Sequence, residues 1–287
     1  MKLCVTCHVP FDDGWTCPSC GWAPTEVSGI PCFAPDLAKR DEGFEPDAFE
    51  LLAAKEGSSF WFRGRNRLIL DLVTANFPDA SSAFEVGCGT GFVLRELCRN
   101  GFSVTGSDLH PAGLARARRR IPDAELLQID ARTVPFQDEF DVVGAFDVLE
   151  HIREDDVVLQ ALHRAVKPGG GLVVSVPQHP RLWSPVDDYA HHVRRYRRKD
   201  LIGKVEAAGF EVLRVTSFVF TLLPLMALSR VWRRGVAREE DPAPELALPG
   251  PLNRAFEWCL DLERACIMRG VSFPAGGSLF LVAQRPR

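Results

Sequence analysis

Apolar positions recur with two different periods along this chain. From Ala83 onward, short apolar runs of strand length alternate with longer segments in which apolar residues return every three or four positions. The pattern predicts strands near 83–86, 103–107, 125–129, 140–145 and 171–176, and helices near 92–99, 111–119, 155–166 and 199–208. A sixth strand is expected over Phe210 to Thr216 and a last one over Ser278 to Ala283. Such alternation describes βαβ units, hence a parallel sheet with helices on both faces. Ahead of it lie a short helix from Asp47 to Lys55, the stretch Phe60-Trp-Phe-Arg-Gly-Arg65, and an amphipathic helix from Asn66 to Asn76. The aromatic stretch suits packing of that helix on the sheet. No internal repeat is visible.

Two insertions interrupt the alternation, at 177–199 and 217–277. Both leave from the carboxyl end of a strand, the edge at which open α/β sheets bind ligands, so both are expected over a ligand site. The second contains the apolar run Ser217 to Ser229, then the basic string Arg230-Val-Trp-Arg-Arg234, a Pro-rich loop from Asp241 to Pro251 and an amphipathic helix from Asn253 to Arg269. The apolar run is shorter than the about 20 residues a bilayer span needs, and Pro224 interrupts it. It reads either as a buried helix capping the sheet edge or as an apolar tunnel or interfacial patch for a lipid-like ligand.

Length and composition fit one large domain with a small module: 287 residues, 46% apolar. A net charge of −4 gives no global attraction to nucleic acid or anionic lipid. Met1-Lys-Leu-Cys4 leads straight into a cysteine cluster and does not resemble a secretory signal, and the scattered remaining cysteines suit a reducing compartment, so the expectation is cytoplasmic. Cys4, Cys7, Cys17 and Cys20 form two C-x-x-C hooks, which together make a tetrahedral S₄ shell suited to zinc. His8 and Cys32 are spare candidates. A redox dithiol is the weaker reading, since no βαβ context surrounds the hooks. The expected division is a zinc knuckle with its linker over 1–35 and the main domain over 36–287.

The most specific chemistry lies in Phe84-Glu-Val-Gly-Cys-Gly-Thr-Gly-Phe92. A buried strand runs into glycines at alternate positions, and a helix follows. Glycines there let the backbone turn and approach a ligand closely, and the helix start offers unpaired amides. The G-x-G-x-G spacing differs from the dinucleotide fingerprint. With Glu85 ahead of the glycines and Asp108 after the next strand, the chain resembles the class I, Rossmann-like methyltransferases that use S-adenosylmethionine. The resemblance continues through Leu127-Gln-Ile-Asp-Ala-Arg132, through Phe140 to Ile152, and through Lys167-Pro-Gly-Gly170 with its following strand, roughly Ala83 to Gly209.

That resemblance implies a seven-stranded sheet with its last strand antiparallel. It implies that Asp108 holds the ribose hydroxyls and that Asp130 and Ala131 lie against the adenine. It extends the cofactor-binding set to Glu85, Gly87, Gly89, Gly91, Leu109 and Phe146, with Arg65 as the candidate for the cofactor's carboxylate.

The first insertion carries His192, Arg194, Arg195 and Tyr196 in an H-x-R-R-Y string, which also resembles methyltransferases of types 11 and 12. Paired arginines bind carboxylate or phosphate bidentately, and His192 or Tyr196 could take a proton from an acceptor. The competing reading is structural, with arginine pairing to Asp187 or Asp188 and Tyr196 packing beneath. His151, after the fourth strand, is the other candidate base. Because the sulfonium already activates the methyl group, alignment supplies most of the acceleration.

The expectation is therefore methyl transfer to an oxygen or nitrogen of a small molecule, anionic, quinone-like or lipid-linked at a membrane surface. Some ribosomal RNA methyltransferases carry a four-ligand zinc module before the same fold, which makes RNA the first alternative. Against it, Lys2 is the sole cation from Met1 to Ala23, facing Asp12 and Asp13, where an RNA grip calls for a basic stripe. The [DNS]-P-P-[YF] string typical of base-amino methyltransferases is also absent at Ala145-Phe-Asp-Val148. A non-catalytic cofactor-binding scaffold, with the zinc module touching a protein partner, is the second alternative.

Overall fold

The structure is a computed structural model that describes residues 1–11, 13–40, 46–232 and 248–287. Asp12, 41–45 and 233–247 lie outside the described residues, and with them Arg233 and Arg234 of the basic string and most of the Pro-rich loop.

The chain begins with β1 (Lys2–Leu3) and β2 (Pro10–Phe11), followed by the hairpin β3 (Thr25–Val27) and β4 (Ile30–Cys32). Helices α1 (Pro35–Arg40), α2 (Pro46–Glu56) and α3 (Phe60–Asn76) lead to β5 (Ser82–Val86). The alternation continues as α4 (Phe92–Arg99), β6 (Ser103–Asp108), α5 (Pro111–Arg120), β7 (Glu125–Gln128), β8 (Phe140–Phe146), α6 (Asp155–Ala165) and β9 (Val166–Pro177). After α7 (Pro185–Tyr189), α8 (Arg198–Ala207) and β10 (Glu211–Phe218) come α9 (Leu223–Trp232), α10 (Gly250–Met268) and β11 (Ser278–Gln284).

The large sheet has the order β10-β11-β9-β8-β5-β6-β7-β4-β3. Strands β9 to β7 run parallel, and β11 lies antiparallel between β10 and β9. The strand order reverses at β5, which pairs with both β6 and β8, so the ligand crevice of such a sheet opens beyond the ends of β5 and β8. Successive strand residues point to opposite faces: Leu126, Val142 and Val173 enter one apolar layer, and Leu127, Val143 and Val174 the other. With both faces covered, the strands read as continuous apolar runs.

Several expectations change. The linker expected within 1–35 forms β3 and β4 and extends the sheet to nine strands: β4 pairs parallel with β7 at Cys32 and Gln128. The buried Gln128 side chain joins the two by bonding both the amide and the carbonyl of Ala34, at 2.9 and 3.0 Å. Helix α3 starts at Phe60, so the aromatic stretch is helical. Gly64 lies within α3 where Leu260 of α10 packs against it: a Cβ there would stand 3.0 Å from Leu260. The described residues of the second insertion do not line the ligand cavity but pack on α3 and the end of β10. Arg63 and Arg67 of α3 pair with Glu257 of α10, and Glu263 accepts from the amides of Phe220 and Thr221. Leu225 and Leu228 on α9 are exposed, so the apolar run is not a wholly buried cap.

The N-terminal module docks on the opposite sheet edge. Trp15 packs edge-on against Phe33 and Phe136, at 4.9 and 5.7 Å between ring centroids, and the Leu3 amide donates to Pro135. No helix among the described residues is long and apolar enough to cross a membrane.

Candidate active site

The site grows from the turn after β5. Gly87 has φ +67°, and a Cβ there would lie 2.4 Å from Val148, so both conformation and space require glycine. Gly89 has nothing within 4 Å of the place its Cβ would occupy, which leaves that backbone open to a ligand. The register pairs Val86 with Ser107, so Asp108 emerges beside this turn. One of its oxygens accepts from the Gly89 amide and the other from the His110 amide, each at 2.8 Å. Burial pushes its carboxyl above the usual range.

A cavity of roughly 790 Å³ lies here, within the usual range for small-molecule sites. It brings together Arg65, Glu85, Gly87, Gly89, Asp108, Leu109, Asp130, Ala131, Phe146, His151 and His192. Gly91 is not on its wall. It begins α4 and lies against Ala117 of α5, 3.0 Å from where its Cβ would stand. Asp130 is anchored by accepting from the amide and Nε of Arg132, both at 3.0 Å.

The floor is charged. Arg65 pairs with Asp147 at 2.7 Å and lies over the Trp61 ring. Glu85 is buried, and burial pushes its carboxyl up to about 8 against the pull of Arg65. Its Oε2 and the Arg65 Nε have no hydrogen-bond partner. Groups that sequence reasoning missed close one side: α2 supplies Phe49, Leu52 and Glu56, and Glu56 accepts from Thr90 at 2.6 Å and pairs with Arg120. The apolar spacing of α2 was legible, but nothing in it signalled a lid.

At the other end, the rings of His151 and His192 meet edge to face, 4.8 Å between centroids. Burial, then the neighbouring His192, holds His151 down at about 3, so its imidazole is neutral. His192 Nδ1 contacts Asp187 Oδ1 at 2.9 Å, and since the carboxylate can only accept, Nδ1 carries the proton. Asp187 is fully buried and also accepts from Ser184 and from Arg195 Nε, the latter at 2.6 Å. From the first insertion, the cavity takes Ala190, His191 and His192; none of its described lining residues comes from 217–277.

Tyr196 does not reach the cavity. Its hydroxyl donates to Leu149 O and Asp155 Oδ2, at 3.1 and 2.6 Å, and burial followed by Asp155 raises its pKa, which makes it a structural strut. Arg194 pairs with Asp155 and Arg195 with Asp187. Of the H-x-R-R-Y string, only His192 faces the cavity; the rest holds the loop.

The four expected cysteines converge, with Cys4–Cys20 and Cys7–Cys17 sulfur separations of 3.6 Å. A tetrahedral zinc with Zn–S about 2.3 Å places neighbouring sulfurs about 3.8 Å apart, so the donor set fits that ion. His8 and Cys32 take no part in the cluster; Cys32 is buried in β4.

Residues 84–174 match the family described as a methyltransferase domain, type 11. A probable S-adenosylmethionine-dependent methyltransferase of Mycolicibacterium smegmatis is 28% identical over 54% of this chain and 60% of its own length. A ubiquinone biosynthesis O-methyltransferase of Pseudomonas paraeruginosa is 33% identical over 36% of this chain and 47% of its own. The matches thus span about half the length of these curated relatives. Among solved structures, Haemonchus contortus phosphoethanolamine N-methyltransferase 2, in complex with S-adenosyl-L-methionine, superposes with a TM-score of 0.58 at 18% identity, covering 88% of this chain and 60% of that one. The fold is that of the class I, Rossmann-like methyltransferases.

Proposed function

We propose that this chain, which carries a class I methyltransferase domain, transfers a methyl group from S-adenosylmethionine to an oxygen or nitrogen of a small molecule. The observation that carries the reading is the convergence of Gly89, Asp108, Asp130 and the orphaned Glu85 carboxylate on one cavity at the point where strand order reverses. The residues fit the cofactor. Asp108 retains acceptor capacity for ribose hydroxyls beyond its two backbone bonds. Glu85 Oε2 offers an acceptor for an ammonium group, and Arg65 Nε a donor for a carboxylate. Asp130 and Ala131 supply the adenine end.

When bound, the cofactor supplies a methyl group already activated on a sulfonium. The chain's part is to hold the acceptor in line, exclude water with α2 and the 190–192 loop, and meet the acceptor atom with the His151–His192 pair. The ubiquinone-pathway relative supports an oxygen acceptor, and the exposed Leu225 and Leu228 support one drawn from a membrane surface.

Several cations of the N-terminal module and of α5 are engaged within the chain. Lys2 lies over Trp15 and beside Glu125, and on the arginine-rich α5, Arg116 pairs with Glu50, Arg118 with the Gly29 carbonyl and Arg120 with Glu56. The zinc module is read as a structural cap on the β7–β4 edge.

The test is calorimetry with S-adenosylmethionine and its demethylated product, then turnover on a panel of phenolic, quinol and amine acceptors, with vesicle flotation alongside. Binding and turnover on a small acceptor are expected. Absence of cofactor binding would end the reading, and salt-sensitive methylation of ribosomal RNA would redirect it.

A further inference from the structure

We propose that Glu150, His151 and His192 form a site for one divalent transition-metal cation in the wall of the same cavity. Each offers one ligand atom, and these atoms lie within 4.8 Å of one another. Ligands about 2.0–2.2 Å from a shared ion fall inside that span after small side-chain adjustment.

Two further observations are independent of that clustering. Glu150 is 1% exposed, and its Oε2 has no hydrogen-bond partner. A buried carboxylate oxygen without a donor is costly, and a cation would satisfy it. Secondly, both imidazoles are already oriented. His192 gives its Nδ1 proton to the buried Asp187, itself fixed by Ser184 and Arg195, which leaves Nε2 as the nitrogen with a lone pair. A backbone hydrogen bond at Ala190 orients His151. Carboxylate and backbone partners behind histidine ligands are the usual supporting shell of a metal site. The Val193 amide donates to the Glu150 carbonyl at 2.8 Å and pins the two ligand-bearing segments together.

Two imidazoles and one carboxylate suit zinc, manganese or ferrous iron better than calcium or magnesium. Three protein ligands leave coordination positions open. His151 and His192 line the cavity, whereas Glu150 lies behind its wall, so those positions face the ligand space. The cation would there bind an acceptor's oxygen. That role rests on the methyl-transfer reading; occupancy of the site by a metal does not.

The test is titration of the full chain with cobalt(II) after its cysteine site has been saturated with zinc, with binding of demethylated cofactor measured in parallel. One further equivalent is expected, with a spectrum lacking thiolate charge-transfer bands. Glu150→Gln and His192→Asn should each lose it while keeping cofactor affinity, and Asp187→Asn should weaken it about 10–100-fold. No further equivalent in protein that binds the cofactor, or unchanged cobalt affinity in both ligand variants, overturns the site. Metal uptake without cofactor binding would leave the site standing and remove the methyl-transfer reading instead.

Discussion

Asp108, at the end of β6, accepts a hydrogen bond from the Gly89 amide at 2.8 Å. One carboxylate thus shapes the glycine turn and faces the cavity that the turn borders. Asp108→Ala removes the turn's anchor and the assigned ribose acceptor together. Hydrogen bonds to charged groups are worth about 1.5–3 kcal/mol each, so affinity for the demethylated cofactor should fall at least about tenfold to a hundredfold. Asp108→Asn keeps an acceptor oxygen and should lose less. Calorimetry decides it, and unchanged affinity in the alanine variant would remove the ribose assignment.

Glu85 makes a prediction about pH. Burial raises its carboxyl in the folded chain to about 8 from an ordinary 4.5, so the folded state holds a proton that the unfolded state releases. The associated stability is fully present below about pH 4.5 and is lost as pH rises toward 8. A ligand ammonium facing Glu85 favours the ionised form, so cofactor affinity should increase over the upper part of that window, with proton release. Glu85→Gln should flatten both dependences. Calorimetry at pH 6 and 8 (round values either side of neutrality, roughly spanning the ordinary range of a shifted carboxyl) provides the check; an equal slope in the variant would show that another group carries it.

The parts of this fold legible in the sequence were those with a local cause. Glycines at 87, 89 and 91 and acidic residues at 85, 108 and 130 announce a turn and its ligand edge, because backbone conformation and strand ends are set nearby in sequence. What was not legible depends on partners far along the chain. Gly64 falls in the stretch expected ahead of the helix, yet it lies inside α3 with Leu260 of α10 against it. Cys32 read as a spare metal ligand until its strand was found beside Gln128. The string at 192–196 mixes one cavity residue with four positions that hold the loop, and only the burial of Asp187 and Asp155 separates them.

Tyr196 illustrates that separation. Its hydroxyl spans Leu149 O and Asp155 Oδ2, and Asp155 also receives Lys204 at 2.7 Å. Burial works against the ionised Asp155, yet Lys204, Tyr196 and Arg194 together hold it below the ordinary carboxylate range. Tyr196→Phe leaves two buried acceptors without this donor and should lower stability by about 1–3 kcal/mol. Because the ring does not line the cavity, cofactor affinity and turnover at a temperature where the variant is folded should remain near the parent's. Lost turnover at full stability would return the hydroxyl to the chemistry.

The cysteine module yields the last prediction. Metal analysis should find one tightly held zinc at Cys4, Cys7, Cys17 and Cys20, since a segment this short lacks the apolar core to fold unaided. Among described residues, its own cluster is Cys4, Phe11 and Cys17 with partly buried Cys7, Trp15 and Trp22. Chelation or Cys17→Ser should therefore unfold the module, expose Trp15 from between Phe33 and Phe136, and shift its fluorescence to the red. The melting temperature should fall, because β4 and the Trp15 contact cap the β7 edge. Cofactor affinity should persist, since among the described residues no lining residue of the cavity precedes Leu37. If zinc removal abolishes cofactor binding while the main sheet stays folded, the module acts on the site and is not only its edge support.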